Sequence, residues 1–424
     1  MAQTPPSREA SSTSKETFLS LYLPAAILAM GLGIAVPVIP EYAKSFNVGF
    51  ETASLVLVVQ AYGMVAATLP TGFLMDKFGR RPVLLVGPLL TGVTAILTAF
   101  AGSFPELLLY RFLNGCSQQL WNQARIAMIA DSGADRERGK LITWMMSLQR
   151  FGMLVAPVIG GFTATIDLRI PFILHGVLCF IVLAPSFAFA KETAPDRTGG
   201  APRQAEGEWT YLFHYMRRPQ ILYFLAAQLF ANLTRGNILG IFNLYIAFYF
   251  DKGPQTLGLI NSAASALVLP VGFLSGYIMD RWGRKKTIVP GFACLFVTGL
   301  FLAFTVIIDS SFSLFLVGFF LFNVSQGITG GNMQVLGSDL SPDRARGKFF
   351  GSWRMIGEAG NATGPLVFSL LAVIGYAASF SFVGICGLAV ALIVGLKIDE
   401  TVGKQGRGAP TPAEPAPQPT ATPP

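Results

Sequence analysis

Gly72-Phe-Leu-Met-Asp76-Lys77-Phe78-Gly79-Arg80-Arg81 is the stretch around which this chain is organised. It recurs almost letter for letter as Gly276-Tyr-Ile-Met-Asp280-Arg281-Trp282-Gly283-Arg284-Lys285, about 204 positions further on, which is close to half the chain length. Each copy ends one long apolar run and precedes another. An internal repeat of this size predicts a chain built of two similar halves.

A second repeated stretch has nearly the same offset. Asp131-Ser-Gly-Ala-Asp135-Arg136-Glu-Arg138-Gly139-Lys140 aligns with Asp339-Leu-Ser-Pro-Asp343-Arg344-Ala-Arg346-Gly347-Lys348 at an offset of 208. Each copy follows the fourth apolar run of its half. Two markers in the same order indicate a duplicated architecture.

The composition places most of the chain in lipid. Of 424 residues, 52% are hydrophobic and only 13% charged, and the mean hydropathy is +0.54. A soluble domain carries about 25% charged residues, so there is too little charge here to cover soluble surfaces. The four cysteines stand singly in apolar runs, which predicts neither a metal site nor a disulfide.

Twelve apolar runs are long enough to cross a bilayer, which requires about 20 mostly apolar residues each. Because they lack strand alternation, and only helices or closed barrels satisfy the backbone in lipid, we predict an all-α membrane protein. The runs, numbered here as spans 1 to 12, are 18–40, 52–75, 82–102, 105–130, 139–165, 168–190, 219–250, 255–279, 287–308, 311–338, 346–374 and 376–398.

The distribution of Lys and Arg predicts the orientation. One set of loops and tails holds 23 of the 31 basic residues, and the opposite loops hold only Lys44, Arg169 and Lys252. By the positive-inside rule the basic side is cytoplasmic, and an even number of spans puts both termini there. The net charge of +8 is thus explained by topology, and no nucleic-acid partner is expected.

The predicted organisation has five parts. Residues 1–17 form a disordered tail without the features of a signal peptide, so span 1 is expected to direct insertion. The six-span halves occupy 18–190 and 219–398. The linker 191–218 ends in an aromatic and basic segment typical of an interfacial helix, or of a simple tether, and 399–424 is a disordered Pro-rich tail.

Several motifs resemble the major facilitator superfamily, over about 18–398. The doubled loop is that family's most specific mark, and three further motifs resemble its twelve-span drug:proton antiporter branch. These are Gly31-Leu-Gly33-Ile-Ala-Val-Pro37-Val-Ile-Pro40, Leu107-Leu-Leu-Tyr-Arg111-Phe-Leu-Asn114-Gly115 and Gly152-Met-Leu-Val-Ala156-Pro157-Val-Ile-Gly160-Gly161. The resemblance implies two six-helix bundles around a central cavity, and it associates Arg111 with proton coupling.

The doubled loop has a predicted mechanical role. Gly72 would allow close helix approach and Gly79 a tight turn, while Asp76 ends a helix, where an anion is disfavoured without a partner. That partner is expected to be Arg80, Arg81, Asp131 or a helix N-terminus of the other bundle. We predict two conformational latches, one from these residues and a matching one from Asp280, Gly283, Arg284 and Asp339. The alternative is a plain topology anchor.

Span 5 carries Gly152, Pro157, Gly160 and Gly161, which predict a kinked helix with a small face. Close packing of this face on span 8 would seal the cavity on the outer side. Generic membrane packing is the alternative reading, since Gly and Pro are common in membrane helices.

Ionisable residues inside spans are costly and therefore candidates for function. Glu358 is the one deep acid and the predicted proton carrier, with Arg354 one helical turn away and Arg150 at the equivalent repeat position. A structural ion pair of Arg354 and Glu358 is the alternative. Arg125, near a helix end, is expected to be interfacial, and His175 to be a packed polar residue.

The surplus of arginine over acid favours an anionic, zwitterionic or neutral polar substrate, because an unpaired guanidinium needs a counter-charge. The predicted cavity residues combine polar groups with apolar walls, as amphipathic ligands require. They are Arg235, Gln118, Asn122, Asn237, Asn332, Phe242 and Tyr245.

These features predict a secondary transporter working by alternating access in the cell membrane, with a small molecule and protons as its partners. Proton-coupled export of amphipathic molecules is the leading prediction, and uptake or exchange of a polar or anionic metabolite is the alternative. No nucleotide loop, metal spacing or catalytic constellation is evident, so neither a cofactor nor an enzyme activity is expected. We expect a monomer.

Overall fold

The computed structural model describes residues 22–131, 135–190, 192–193, 208–235, 238–342 and 345–400, except for the side chains of 130–147, 208–209 and 346–347. In the first half the helices are Leu23–Ala35, Ile39–Lys44, Phe50–Phe78, Arg80–Ala99, Phe104–Asp131, Asp135–Thr163 and Ile170–Phe189. Glu208–Met216 follows, and the second half contains Pro219–Leu233, Ile238–Tyr249, Pro254–Trp282, Lys285–Ile307, Phe312–Thr329, Asn332–Asp339, Arg346–Ala372 and Tyr376–Lys397. These helices confirm the predicted all-α fold of twelve membrane spans.

Three of the spans consist of two helices where the sequence predicted one. Span 1 is interrupted at 36–38, which includes Pro37, and span 7 is interrupted after Leu233. Span 10 breaks at Gly330 and Gly331, where Gly331 has φ +82°, a conformation that favours glycine.

Hydropathy separates the spans into two groups. Within the described chain, seven helices are long and apolar enough to cross a membrane, and they are spans 2, 3, 6, 8, 9, 10 and 12. The remaining spans are 1, 4, 5, 7 and 11, which are interrupted or carry arginine in their interior. Arginine in a membrane helix normally faces the interior of the bundle, so these spans are the ones expected to line a polar path.

The contacts between helices repeat in the two halves. Span 2 packs on span 4, and span 3 on spans 4 and 6, while spans 8, 9, 10 and 12 make the equivalent contacts in the second half. Between the halves, span 5 packs on span 8 and span 11 on span 2, which are again equivalent pairs. Pro157 and Pro365 lie inside spans 5 and 11 at equivalent positions. The sequence duplication is therefore also a duplication in space.

The two ends of the bundle differ in their charged residues and are called the basic end and the opposite end. The basic end carries the two doubled loops with Gly79 and Gly283, and the opposite end carries Lys44 and Asp251. The helix Glu208–Met216 lies near the basic end, where the Tyr215 hydroxyl donates to the Leu340 carbonyl at 2.8 Å. This contact attaches the linker to the second half.

Candidate transport site

Each copy of the doubled loop requires its glycine, Gly79 or Gly283, for two separate reasons. Gly79 has φ +90° and Gly283 has φ +113°, which other residues rarely adopt. A Cβ would also lie 2.5 Å from a carboxylate oxygen of Glu192 at Gly79, and 2.8 Å from one of Glu400 at Gly283. The glycines thus provide both the turn and the room for an acid.

Glu192 and Glu400 contact the two doubled loops, and the sequence analysis did not identify either residue. The Glu192 carboxylate accepts hydrogen bonds from the backbone N–H groups of Arg80 and Arg81 at 2.9 and 3.0 Å. Glu400 accepts from those of Arg284 and Lys285 at 2.8 and 3.0 Å. Each acid caps the N-terminus of the helix after the loop, where the macrodipole favours an anion. Their shared Glu-Thr sequence at an offset of 208 was the available signal.

The second-half latch residues lie together. Arg284 donates to Asp280 at 2.8 Å and to Asp339 at 3.1 Å, and Asp339 is nearly buried. Burial lowers the pKa of Arg284, but the hydrogen bonds to the two carboxylates raise it more, so its pKa lies above the usual value. This arginine therefore stays charged and holds the end of span 8 to the end of span 10.

The first-half latch residues are arranged differently. Arg80 donates to the Ala127 carbonyl at 3.1 Å and Arg81 to the Phe187 carbonyl at 2.9 Å. Asp76 is exposed and makes no hydrogen bond or ion pair with a described residue, so the predicted pairing of Asp76 with these arginines is absent from this structure. The side chain of Asp131 lies outside the described residues.

At the basic end, three glycines on spans of both halves have no described atom close to them. A Cβ placed on Gly72 of span 2, Gly276 of span 8 or Gly351 of span 11 would meet no described atom within 4 Å. Small residues in membrane helices normally mark close helix contacts. Among the described atoms, none therefore covers these three glycines.

The opposite end is closed by the small face of span 5. A Cβ on Gly161 would lie 2.5 Å from the Pro254 carbonyl oxygen, and one on Gly258 would lie 2.3 Å from that of Pro157. Gly152 and Gly160 face span 1 instead, where a Cβ on Gly160 would lie 1.9 Å from the Ile34 carbonyl oxygen. Span 5 thus joins span 1 within its own half and span 8 across the halves.

A basic residue and aromatic rings add to this closure. Lys44 of span 1 donates to the Ala247 carbonyl at 2.6 Å and to the Asp251 carboxylate at 3.0 Å. Phe50 of span 2 contacts Phe248 and Tyr376, with ring centroids 6.1 and 5.0 Å apart. The two halves are therefore joined by polar and apolar contacts at this end.

Span 4 presents a polar stripe to the interior. Arg111 is buried and donates to the Gln60 side chain, while its Nε has no hydrogen-bond partner. Asn114 accepts from Gln118 at 2.6 Å and donates to Thr94 at 2.9 Å. Every described partner in this network is neutral, so it supplies no counter-charge for the buried guanidinium.

Two cavities lie beside these residues. The larger, about 350 Å³, is lined by spans 5, 7, 8 and 10 and includes Arg150, Asn323 and Gln326. The smaller, about 70 Å³, is lined by the predicted residues Gln118 and Asn122 together with Trp121 and His175. Gln149 borders both cavities, which makes them neighbours. The larger volume falls in the range of about 300–1,000 Å³ that is usual for small-molecule sites.

The breaks in spans 7 and 10 complement each other. Arg235 donates to the Thr329 carbonyl, and Gln326 donates to the Thr234 carbonyl at 2.7 Å. Interrupted helices leave backbone carbonyls free in the membrane, and here side chains from the other span satisfy them. Arg235 keeps a buried Nε without a hydrogen-bond partner, and Gln326 of the other span lines the larger cavity.

The predicted proton-carrier pair is loose. Arg354 Nε lies 3.8 Å from Glu358 Oε1, beyond hydrogen-bond distance, and the Glu358 side chain is 24% exposed. Arg150 makes no ion pair with a described carboxylate and borders Gly272 of span 8. Glu358 is thus held by one distant positive charge rather than by a tight pair.

Three predicted cavity residues lie elsewhere. Phe242 and Tyr245 were wrongly expected to form cavity walls, because the second helix of span 7 packs its rings among Phe315, Phe322 and Phe380 in the core. Asn332 is also buried and donates to the Ile328 carbonyl at 2.8 Å within span 10. Asn237 lies outside the described residues.

Arg125 is a buried charge that the sequence analysis did not include among the candidate site residues. It was expected to be interfacial, but it is only 7% exposed and stacks over Trp121 at 6.0 Å. His175, as predicted, is packed; both of its ring nitrogens are buried without hydrogen-bond partners.

Twelve spans in two equivalent sets, closed at one end around a polar interior, define a membrane transporter fold. The sequence model of the Major Facilitator Superfamily matches residues 21–233 and 224–422, so the chain belongs to this family. It is 27% identical over 81% of its length to tetracycline resistance protein, class B, of Escherichia coli, covering 85% of that protein. It is 24% identical over 73% of its length to multidrug resistance protein 2 of Bacillus subtilis, covering 77% of it.

Solved structures agree on the fold. The crystal structure of a D-xylose-proton symporter matches with a TM-score of 0.74 and 17% identity, over 90% of this chain and 98% of that one. An inward open structure of the xylose transporter XylE from E. coli matches with a TM-score of 0.71 over 90% and 97% of the two chains. At this identity the likeness establishes the architecture and leaves the substrate open.

Proposed function

We propose that this transporter exports small amphipathic molecules in exchange for protons, by alternating access. The observation that carries the proposal is the loosely held Glu358, 3.8 Å from Arg354 in a span that is otherwise without deep acid. A carboxylate in such a place can exchange a proton without first breaking a strong ion pair. The names of the relatives, which are tetracycline and multidrug resistance proteins, support export.

The proposed orientation follows from charge. The basic end faces the cytoplasm, because its loops and the two tails hold 23 of the 31 Lys and Arg residues. Both termini are then cytoplasmic in a multi-pass protein of the cell membrane, and the chain acts as a monomer. The glycines without described neighbours at this end, together with the packed opposite end, support a state that takes substrate from the cytoplasm.

The proposed coupling uses charges of both halves. Glu358 takes up a proton when the outer end is open and releases it towards the cytoplasm. Arg150 occupies the equivalent position in span 5, and Arg111 supplies a fixed positive charge in span 4. Protonation of Glu358 removes the only deep negative charge among these groups and so changes the relative stability of the two states.

Proteoliposomes with an imposed pH gradient and a mixed substrate panel test this proposal. We expect the wild type to move protons in the direction opposite to the substrate, and Glu358→Gln to abolish gradient-driven accumulation while keeping exchange of substrate down its own gradient. Glu106→Gln is the control, because Glu106 lies in the first turn of span 4 and accepts from the Gly102 backbone N–H. Retention of proton-driven transport by Glu358→Gln would show that the carrier is another group.

Uptake or exchange of a polar or anionic metabolite is the second candidate function. It is favoured by the guanidinium groups of Arg111 and Arg125, which have N–H groups without described partners. The same proteoliposomes distinguish the candidates, since a symporter moves protons and substrate in one direction. Substrate flux independent of the pH gradient would exclude both proton-coupled functions.

A further inference from the structure

Arg125 is a buried cation without a described counter-charge. Its side chain is 7% exposed, and its Nε and NH1 atoms have no hydrogen-bond partner. The guanidinium lies over the Trp121 ring, 6.0 Å from its centroid. A cation–π contact of this length contributes little compared with the cost of burying a charge, so the site is incomplete as it stands.

The position of Arg125 on span 4 relates it to the cavities. Gln118, Trp121, Asn122 and Arg125 are three or four residues apart and therefore share one helix face. Gln118, Trp121 and Asn122 line the smaller cavity, which shares Gln149 with the larger one. Arg125 is thus one helical turn nearer to the basic end on the face that lines the polar interior.

The other half presents a second cation to the same place. Arg354 of span 11 lies within electrostatic range of Arg125, and its side chain is 43% exposed. The two positive charges repel each other across the interface between the halves. Glu358, 3.8 Å from Arg354, supplies one negative charge for these two cations. Among the described side chains, the cluster therefore carries one unbalanced positive charge.

We propose that Arg125 and Arg354 form an anion-binding subsite between the two halves, which takes the carboxylate or sulfonate group of an amphipathic organic anion. The apolar body of the ligand occupies the larger cavity, among Met153, Leu239 and Val268. An anion here supplies the missing hydrogen-bond acceptors to Arg125 and removes its repulsion with Arg354. Binding at this point would therefore draw the basic ends of the halves together.

The inference rests on the proposed transport function for its physiological meaning, but binding tests it independently of transport. Three naphthyl compounds of similar size make the comparison: 1-naphthylacetate is an anion, 1-naphthylacetamide is neutral, and 2-(1-naphthyl)ethylamine is a cation at pH 7. Their affinities for the purified full-length protein are measured by equilibrium dialysis in a mild detergent. Size-exclusion profiles and melting curves verify that each variant is folded.

We expect the wild type to bind the anion about tenfold more tightly than the amide, the effect of one or two charge-assisted hydrogen bonds. Arg125→Gln should remove this preference and leave amide binding unchanged, Arg125→Lys should keep part of it, and Arg354→Gln should reduce it. Arg218→Gln is the matched control, because Arg218 stacks on Tyr215 at 4.9 Å outside the spans. It should leave the preference unchanged.

Three results would overturn the subsite: no binding of 1-naphthylacetate, equal or tighter binding of the amide or the amine, or an anion preference that survives both Arg125→Gln and Arg354→Gln. Proton flux distinguishes this failure from that of the proposed function. Anion preference without substrate-dependent proton flux would exclude proton-coupled export but leave the subsite in place. Proton-coupled export of the amine without anion preference would support the proposed export and overturn the subsite.

Discussion

The two ends of the bundle use small residues in opposite ways. At the opposite end, Gly161 and Gly258 allow the backbones of spans 5 and 8 to approach so closely that a Cβ on either would overlap a carbonyl oxygen. At the basic end, Gly72 and Gly276 have no described atom near them. At the opposite end the two halves are in close contact. At the basic end the glycine faces of spans 2 and 8 are available for such a contact.

The largest expected effect comes from adding a side chain at the glycine crossing, the point at the opposite end where Gly161 of span 5 meets span 8. In Gly161→Leu the added side chain overlaps the Pro254 carbonyl oxygen, which lies 2.5 Å from the Cβ position. Overpacking of this kind costs about 1–3 kcal/mol, which would shift the equilibrium about five- to a hundredfold away from this state. Cysteine labelling at the opposite end should increase and transport should fall. Phe162→Leu is the control, since Phe162 is 46% exposed; unchanged labelling in Gly161→Leu would contradict the crossing as the closing contact.

A smaller effect of the opposite sign is expected at the basic end. Leucine at Gly72 meets no described atom in this state, so Gly72→Leu should leave the melting temperature unchanged. It should hinder closure of spans 2 and 11 and shift the equilibrium about three- to tenfold towards this state. Transport should fall while labelling at the basic end rises. Gly253→Leu, in equally open surroundings at the opposite end, should have no effect on either. A lowered melting temperature with unchanged labelling would indicate that Gly72 is already packed here.

How far the sequence predicted this molecule depends on the kind of information involved. The fold followed from hydropathy and the doubled loop, because a span length and a repeat are local properties of the chain. The breaks at Arg235 and Gly331 were missed, since a side chain of the other span satisfies a backbone carbonyl beside each break. Glu192 and Glu400 were missed for a similar reason, as their partners lie 112 and 116 residues away.

The candidate site was less predictable than the fold. Periodicity identified the charged spans but not which face of a helix enters the cavity, so Tyr245 was expected at a wall that it does not reach. Arg125 was expected at the interface because it lies near a helix end, whereas neighbouring spans bury it. Both errors concern the surroundings of a side chain, which the packing of several distant segments determines.

The smallest expected effect tests whether polar or apolar contacts close the opposite end. Lys44 bridges the halves through Asp251, but that carboxylate is 93% exposed, and exposed ion pairs contribute at most about 1 kcal/mol. Lys44→Gln should therefore raise labelling at the opposite end by about fivefold or less, and this increase should shrink at high salt. Asp251→Asn should give a similar result, and the double variant should add little, because the two residues form one pair. A loss of closure as large as that of Gly161→Leu would mean that Lys44, through its hydrogen bond to the Ala247 carbonyl, keeps this end closed. The close packing at the glycine crossing would then be a consequence of that closure.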